Sequence, residues 1–120
     1  KTINDTYGHY MGDKVLNEAS AFIMKMIRNT DIFARYGGDE FVLFLPNQNY
    51  DSAVNTANRI REGIQNLTLI FEEQPVSVTI SIGVSCLDFE NDKTIDDLIK
   101  RADISMYQAK RSGRNMVVSE

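Results

Sequence analysis

The sequence predicts an α+β fold in which helices pack on a mainly antiparallel sheet. Three observations predict it. Apolar residues recur at helical spacing in three separate stretches, residues 76–84 alternate with a period of two, and a Gly37-Gly38 pair sits between two short apolar runs. Along the 120 residues these signals give the order helix, strand, strand, helix, strand, helix, strand. That length suits one domain with a single core.

The first helix is expected from about Gly12 to Arg28, because Val15, Leu16, Ala19, Phe22, Ile23, Met26 and Ile27 form one apolar stripe. Ile32-Phe33-Ala34 and Phe41-Val42-Leu43-Phe44-Leu45 follow as short strands on either side of the glycines. Ala53, Val54, Ala57, Ile60, Ile64 and Leu67 repeat the helical stripe, with Asp51 placed to cap its start. Gln74-Pro75 interrupts before one strand running Val76 to Val84. Thr94 with Asp97 three residues on marks a third helix start, and Ile95, Leu98, Ile99, Ala102, Met106 and Ala109 are its expected buried stripe. Ser112-Gly113 ends that helix, and residues 115–119 form a last strand. A βααββαβ order would place one more strand ahead of the chain, which opens at Lys1 rather than Met. The expectation is therefore a domain whose first strand precedes residue 1.

Composition limits the function. The chain is 42% apolar and 25% charged, as ordinary globular proteins are. No run approaches the roughly 18 apolar residues of a membrane span, and no signal peptide is visible. Cys86 is the one cysteine, which fits a reducing compartment and a structural thiol within the apolar stretch Val76 to Leu87. A net charge of −4 argues against bulk binding to nucleic acid while leaving room for a small polyanion held by a few placed cations.

The chemistry centres on Gly37-Gly38-Asp39-Glu40. Glycine tolerates positive φ and close approach, so the pair gives a tight reversal with space for a ligand. Asp39 and Glu40 are adjacent at that turn and can reach one cation, although an acidic hairpin tip can also serve solubility alone.

The surrounding motifs decide between these readings. Asn4-Asp5-Thr6-Tyr7-Gly8-His9 with Gly12-Asp13, then RYGGDEF, then Ala109-Lys110-Arg111-Ser112-Gly113-Arg114-Asn115 stand in the order of the GGDEF family, which the whole chain resembles. The resemblance implies a diguanylate cyclase domain with the palm-like fold and ferredoxin-like core of nucleotide cyclases, its first strand missing here. Such bacterial signalling enzymes join two GTP into cyclic di-GMP and release two pyrophosphates, using Mg²⁺ or Mn²⁺. Asp39 would bind metal and assist deprotonation of the ribose 3′-hydroxyl, with Glu40 as its metal-binding neighbour.

The same resemblance assigns the remaining residues. Asn4 and Asp13 match guanine-reading positions, with His9 between them. Gly37 and Gly38 line the substrate turn, and Lys1, Lys110 and Arg114 match cations that hold the triphosphate. Arg28-Asn29-Thr30-Asp31 has the form RxxD and is separated from Gly37 by five residues, as in members with an inhibitory product site to which Arg59 would contribute. A helix-end cation with a following turn carboxylate would also explain RxxD.

One GTP per domain makes catalysis the work of a homodimer, with a sensory or receiver domain expected upstream. A cytoplasmic location is expected, with an anchor elsewhere in the parent left open. The family's first metal aspartate falls five residues before Lys1, so the 120 residues alone are expected to be inactive or nearly so. The alternative reading is an inactive GGDEF domain that binds GTP or cyclic di-GMP as a signalling module.

Overall fold

The computed structural model describes the backbone of residues 2–120 and the side chains from Gly12 onward. The elements are α1 (Thr2–Met26), β1 (Ile32–Gly37), β2 (Glu40–Phe44), α2 (Tyr50–Asn66), β3 (Leu69–Phe71), β4 (Gln74–Val76), β5 (Ile82–Val84), α3 (Ile95–Arg111) and β6 (Val117–Ser119). The fold is α+β, as expected. The chain forms two compact units, Lys1–Pro46 with Asn66–Val78, and Asn47–Gln65 with Thr79–Glu120.

In the first unit, α1 begins well ahead of the expected Gly12 and stops at Met26 rather than Arg28. Glycine costs a helix about 1 kcal/mol relative to alanine, which moves the pattern-based start past Gly8 to Gly12, yet the helix continues through both. Its end has a local cause. The Asp31 carboxylate accepts from the Arg28 amide at 2.8 Å, and the Asp31 amide donates to the Arg28 carbonyl at 3.0 Å, so a side-chain-closed turn replaces the next helical turn. Val15, Ala19 and Ile23 are buried at intervals of four along one α1 face. Val15 clusters with Leu69 and Val76, and Leu67, Phe71 and Val78 pack around them.

β1 and β2 pair antiparallel, with Phe33 and Phe41 stacked at 5.1 Å between ring centroids. β3 and β4 form a second antiparallel hairpin that the sequence did not announce. Its turn residues Glu72 and Glu73 have φ of 52° and 65°, the double positive φ of a type I′ turn. Asn-Gly advertises such a turn, whereas Glu-Glu does not. The single strand expected over residues 76–84 is correspondingly divided. Val76 ends β4 and Ile82 begins β5, because only the two ends of the alternating segment meet a ladder partner among the described residues.

In the second unit, α2 is capped by Asn49, whose Oδ1 accepts from the Ser52 amide at 2.8 Å. Asp51 lies inside the first turn instead of at the cap. Ala53, Ala57, Ile60 and Ile64 form the buried α2 face. α3 starts with the expected capping box, in which the Thr94 side chain accepts from the Asp97 amide and the Asp97 carboxylate accepts from the Thr94 amide. Of the expected stripe only Ala109 is fully buried: Leu98, Ile99, Ala102 and Met106 are half-buried, Ile95 is exposed at the helix entrance, and Ser105 is buried in addition.

β5 and β6 pair in parallel through α3, so this ladder departs from the antiparallel pairing of the other two. The helix lies directly on the strand. A Cβ at Gly83 would stand 2.0 Å from the Ala102 carbonyl oxygen and 2.3 Å from the Met106 nitrogen. Ser85 Oγ donates to the Leu98 carbonyl at 2.8 Å. Arg101 donates to the buried Asp92 carboxylate, to the Cys86 carbonyl at 2.7 Å and to Glu120, tying the loop after β5 to α3. Those bonds hold the Asp92 carboxyl below the usual carboxylate range. Cys86 is half-buried just beyond β5.

Candidate active site

The hairpin joining β1 to β2 carries the carboxylates. Gly37 pairs with Glu40, leaving Gly38 and Asp39 as the two central turn residues. Gly38 has φ of +52° and Asp39 does not share that region, which is the φ pattern of a type II′ turn and calls for glycine at the first central position. Tyr36 is the extra residue of a bulge between Arg35 and Gly37, a device that re-aims side chains at a strand end. Arg35 then braces the turn: its Nε donates to the Gly38 carbonyl at 2.9 Å, and its Nη2 donates to the same oxygen. Asp39 is exposed and Glu40 half-buried at the mouth of β2.

These donors fit a hard divalent cation. Two adjacent carboxylates supply oxygen ligands, and an exposed turn leaves positions for water and phosphate oxygens, as Mg²⁺ requires. Among the described residues, no third His, Cys, Asp or Glu joins them in a cluster.

In the second unit, the end of α3 presents the predicted phosphate cations. Ser112 caps the helix, Gly113 follows with φ of +120°, and the Arg114 amide donates to the Ala109 carbonyl at 2.9 Å. That six-to-one bond closes a Schellman motif. Lys110 stands in the last helical turn, whereas Arg114, with φ of 65°, lies beyond the helix and not on its face. Asn115 continues the left-handed run at 48°.

Arg28 and Asp31 are brought together at the end of α1. Arg28 Nε and Nη2 donate to Asp31 Oδ1 at 3.2 and 2.9 Å, and Nη2 also donates to the Pro46 carbonyl at 2.7 Å. The Asp31 side chain is 1% exposed and that of Arg28 48% exposed. Hydrogen bonds from Arg28 hold the Asp31 carboxyl below its usual range, against the opposing effect of burial. Asp13 is exposed on α1, and Arg59 is exposed on α2 in the second unit. Lys1 and the side chains of Asn4 and His9 lie outside the described residues.

The family model described as "Diguanylate cyclase, GGDEF domain" matches residues 1–116. The chain belongs to the GGDEF family. This GGDEF domain is 42% identical over 117 residues to diguanylate cyclase A of Treponema denticola, covering 98% of the chain and 31% of that protein. It thus spans about a third of the length of that curated relative. Among solved structures it is similar to the diguanylate cyclase SiaD of Pseudomonas aeruginosa in complex with its activator SiaC, with TM-score 0.88, 34% identity and coverage of 99% of this chain and 45% of that one. It is also similar to the GGDEF domain of DgcB from Caulobacter crescentus in complex with c-di-GMP, with TM-score 0.85, 27% identity and coverage of 98% and 70%. These likenesses agree with the palm-like α+β architecture.

Three positions in this GGDEF domain escaped the reading of the motifs. Arg35 braces the carboxylate turn, Asn115 continues the left-handed run after Arg114, and Arg61 on α2 donates to Asn115 Oδ1 at 3.2 Å. Arg35 lies within RYGGDEF itself, so its place three residues before the Gly38 carbonyl was available as a signal. Arg61 carried none, because 54 residues separate it from Asn115.

Proposed function

We propose that this GGDEF domain is the catalytic domain of a diguanylate cyclase, condensing two GTP into cyclic di-GMP with release of two pyrophosphates. The observation that carries the reading is the turn Gly37-Gly38-Asp39-Glu40, which presents two adjacent carboxylates on a braced hairpin in a chain matched by the family over residues 1–116.

In each half-reaction a ribose 3′-oxygen of one GTP bonds to the α-phosphorus of the other. The bond from that phosphorus to the bridging oxygen breaks, and pyrophosphate leaves with the electron pair. Asp39 accepts the hydroxyl proton directly or through water. Asp39 and Glu40 hold Mg²⁺ or Mn²⁺, which when bound supplies Lewis acidity at the phosphoryl oxygens. Lys110 and Arg114 hold the triphosphate, with Lys1 as a third cation, and Asn4 and Asp13 read guanine beside His9. Each domain holds one GTP, so two domains face each other in a homodimer. Cyclic di-GMP feeds back at Arg28, Asp31 and Arg59. The presentation of Arg28 on a buried Asp31 supports this role, because it fixes an exposed guanidinium able to fork onto a phosphate or guanine edge. The reaction belongs in the cytoplasm, where GTP is available.

The test is the full natural polypeptide incubated with GTP and Mg²⁺, with product and pyrophosphate quantified by chromatography. Two pyrophosphates are expected per cyclic di-GMP, and Asp39→Asn or Glu40→Gln should lower turnover by about a hundredfold or more. Undiminished turnover in both variants would refute the assignment of the turn. Turnover per domain that does not change on dilution through dissociation of the dimer would refute the two-domain requirement.

A further inference from the structure

The turn that presents Arg114 contains successive left-handed residues, with φ of +120° at Gly113, 65° at Arg114 and 48° at Asn115. Glycine adopts this region without penalty and asparagine tolerates it, whereas an arginine there is strained, because its Cβ crowds the following carbonyl oxygen. Such a conformation persists when it is held from both sides. On the helix side, the Arg114 amide donates to the Ala109 carbonyl at 2.9 Å. On the far side, Arg61 reaches from α2 to Asn115 Oδ1 at 3.2 Å.

Arg61 is prepared for this contact by its own helix. Nη1 donates to Gln65 Oε1 at 3.3 Å, Nε donates to Asn58 Oδ1 at 3.4 Å, and Nη2 lies 3.5 Å from Glu62 Oε1. Its side chain is only 16% exposed. A solvated surface arginine has no such set of fixed partners. A planar guanidinium can satisfy several directions at once, which a lysine ammonium on a flexible stem cannot reproduce.

We propose that Arg61 is a positioning residue for the substrate triphosphate, acting through Asn115 to hold the left-handed turn that aims Arg114. The proposal rests on the reading of Arg114 as a triphosphate contact. Arg61 does not touch the nucleotide in this scheme. It limits the conformations of Arg114, so that less freedom is lost when phosphate binds.

The experiment measures binding of α,β-methylene-GTP by calorimetry and of guanosine by NMR titration to the full natural polypeptide, alongside KM and kcat for GTP. Arg61→Gln and Asn115→Gly are each expected to weaken the GTP analogue about tenfold, the scale of one charge-assisted hydrogen bond. Guanosine binding should stay unchanged, KM should rise, and kcat should stay within about twofold. In an Arg114→Ala background, Arg61→Gln should add less than about twofold. Arg61→Lys should restore little.

If Arg114→Ala weakens the analogue while Arg61→Gln and Asn115→Gly do not, the inference falls and the phosphate reading stands. If Arg114→Ala leaves the analogue unaffected, the phosphate reading fails and takes the inference with it. Equal weakening of guanosine and analogue, or additivity with Arg114→Ala, would overturn the proposal in favour of a general structural role. Should Arg61→Gln not fold, Asn115→Gly decides the same question, because glycine accommodates the left-handed backbone while removing the side chain that Arg61 holds.

Discussion

Adding one methyl group at Gly83 tests the packing of α3 on β5 more sharply than any truncation. The new Cβ would sit 2.0 Å from the Ala102 carbonyl oxygen and 2.3 Å from the Met106 nitrogen, both backbone atoms of the helix, with Met106 Cα at 3.0 Å. No rotamer change relieves that contact. Reaching ordinary contact at 3.4 Å requires about 1.4 Å of separation along the worst direction. A shift of that size endangers the bond from Ser85 Oγ to the Leu98 carbonyl and the seat of α3 on β5 and β6. Overpacking a tight site costs about 1–3 kcal/mol and sometimes more. With rigid backbone as the obstacle, Gly83→Ala should lie at or above about 3 kcal/mol. At about 4 °C per kcal/mol for a chain of this length, the Tm should fall by about 12 °C. Urea unfolding followed by circular dichroism measures the loss, with Gly37→Ala as the comparison, since nothing lies within 4 Å of a Cβ there. A Gly83→Ala cost below about 1 kcal/mol, or one equal to that of Gly37→Ala, would refute the direct helix-on-strand contact.

Glu72→Asn with Glu73→Gly should stabilise the chain by about 1 kcal/mol in urea titrations, because the pair supplies the residues that the left-handed β3–β4 turn favours. Asn49→Ala should cost about 1 kcal/mol through loss of the α2 cap, whereas Asp51→Ala should cost less. Arg28→Ala takes the guanidinium from the buried Asp31 carboxylate, leaving it the residue-28 amide bond, and should destabilise the chain by about 1 kcal/mol near neutral pH. Asp31 is held below its ordinary value of 3.8, so the pair stabilises above that pH and loses its effect as pH falls through the lowered value. The gap between wild type and Arg28→Ala should accordingly narrow on acidification below about pH 4, and a gap that widens there would contradict the ion pair.

Periodicity announced what periodicity can carry. The buried positions Val15, Ala19 and Ile23 on α1 and Ala53, Ala57, Ile60 and Ile64 on α2 all belong to stripes visible in the sequence. The Thr94-Asp97 capping box and the Ser112-Gly113 stop were equally legible, because both are short-range hydrogen-bond patterns written in residue type. The β3–β4 hairpin was not legible. Its reversal uses two glutamates in a conformation that other residues favour, so the stability of the hairpin comes from the Leu69, Phe71 and Val76 packing and not from turn chemistry. Gly83 hid for a related reason. Within an alternating segment it reads as a weak strand residue, and only the descent of α3 onto the backbone explains why no side chain fits. At the candidate site, the turn carboxylates were plain in RYGGDEF, while the bracing by Arg35 and Arg61 depends on where side chains reach after folding.

The RxxD segment shows why a structural and a ligand-binding role need not compete. As an ion pair, Arg28 and Asp31 close the turn that ends α1, and the bond from Arg28 to the Pro46 carbonyl ties that turn to the exit of β2. In this arrangement the Asp31 carboxylate is covered, so it cannot accept from a guanine edge while Arg28 holds it. The half-exposed guanidinium is the part offered to an incoming phosphate or base. A ligand that used Arg28 alone would keep the pair and bind a preorganised cation. One that used both residues would first have to replace the Asp31 bonds with its own. Asp31→Asn separates the two cases: it retains an acceptor for Arg28 but removes the charge that orients it. Loss of cyclic di-GMP binding similar to that of Arg28→Ala would point to direct recognition by the carboxylate, whereas a loss of only a few-fold would mark Asp31 as the support on which Arg28 is presented.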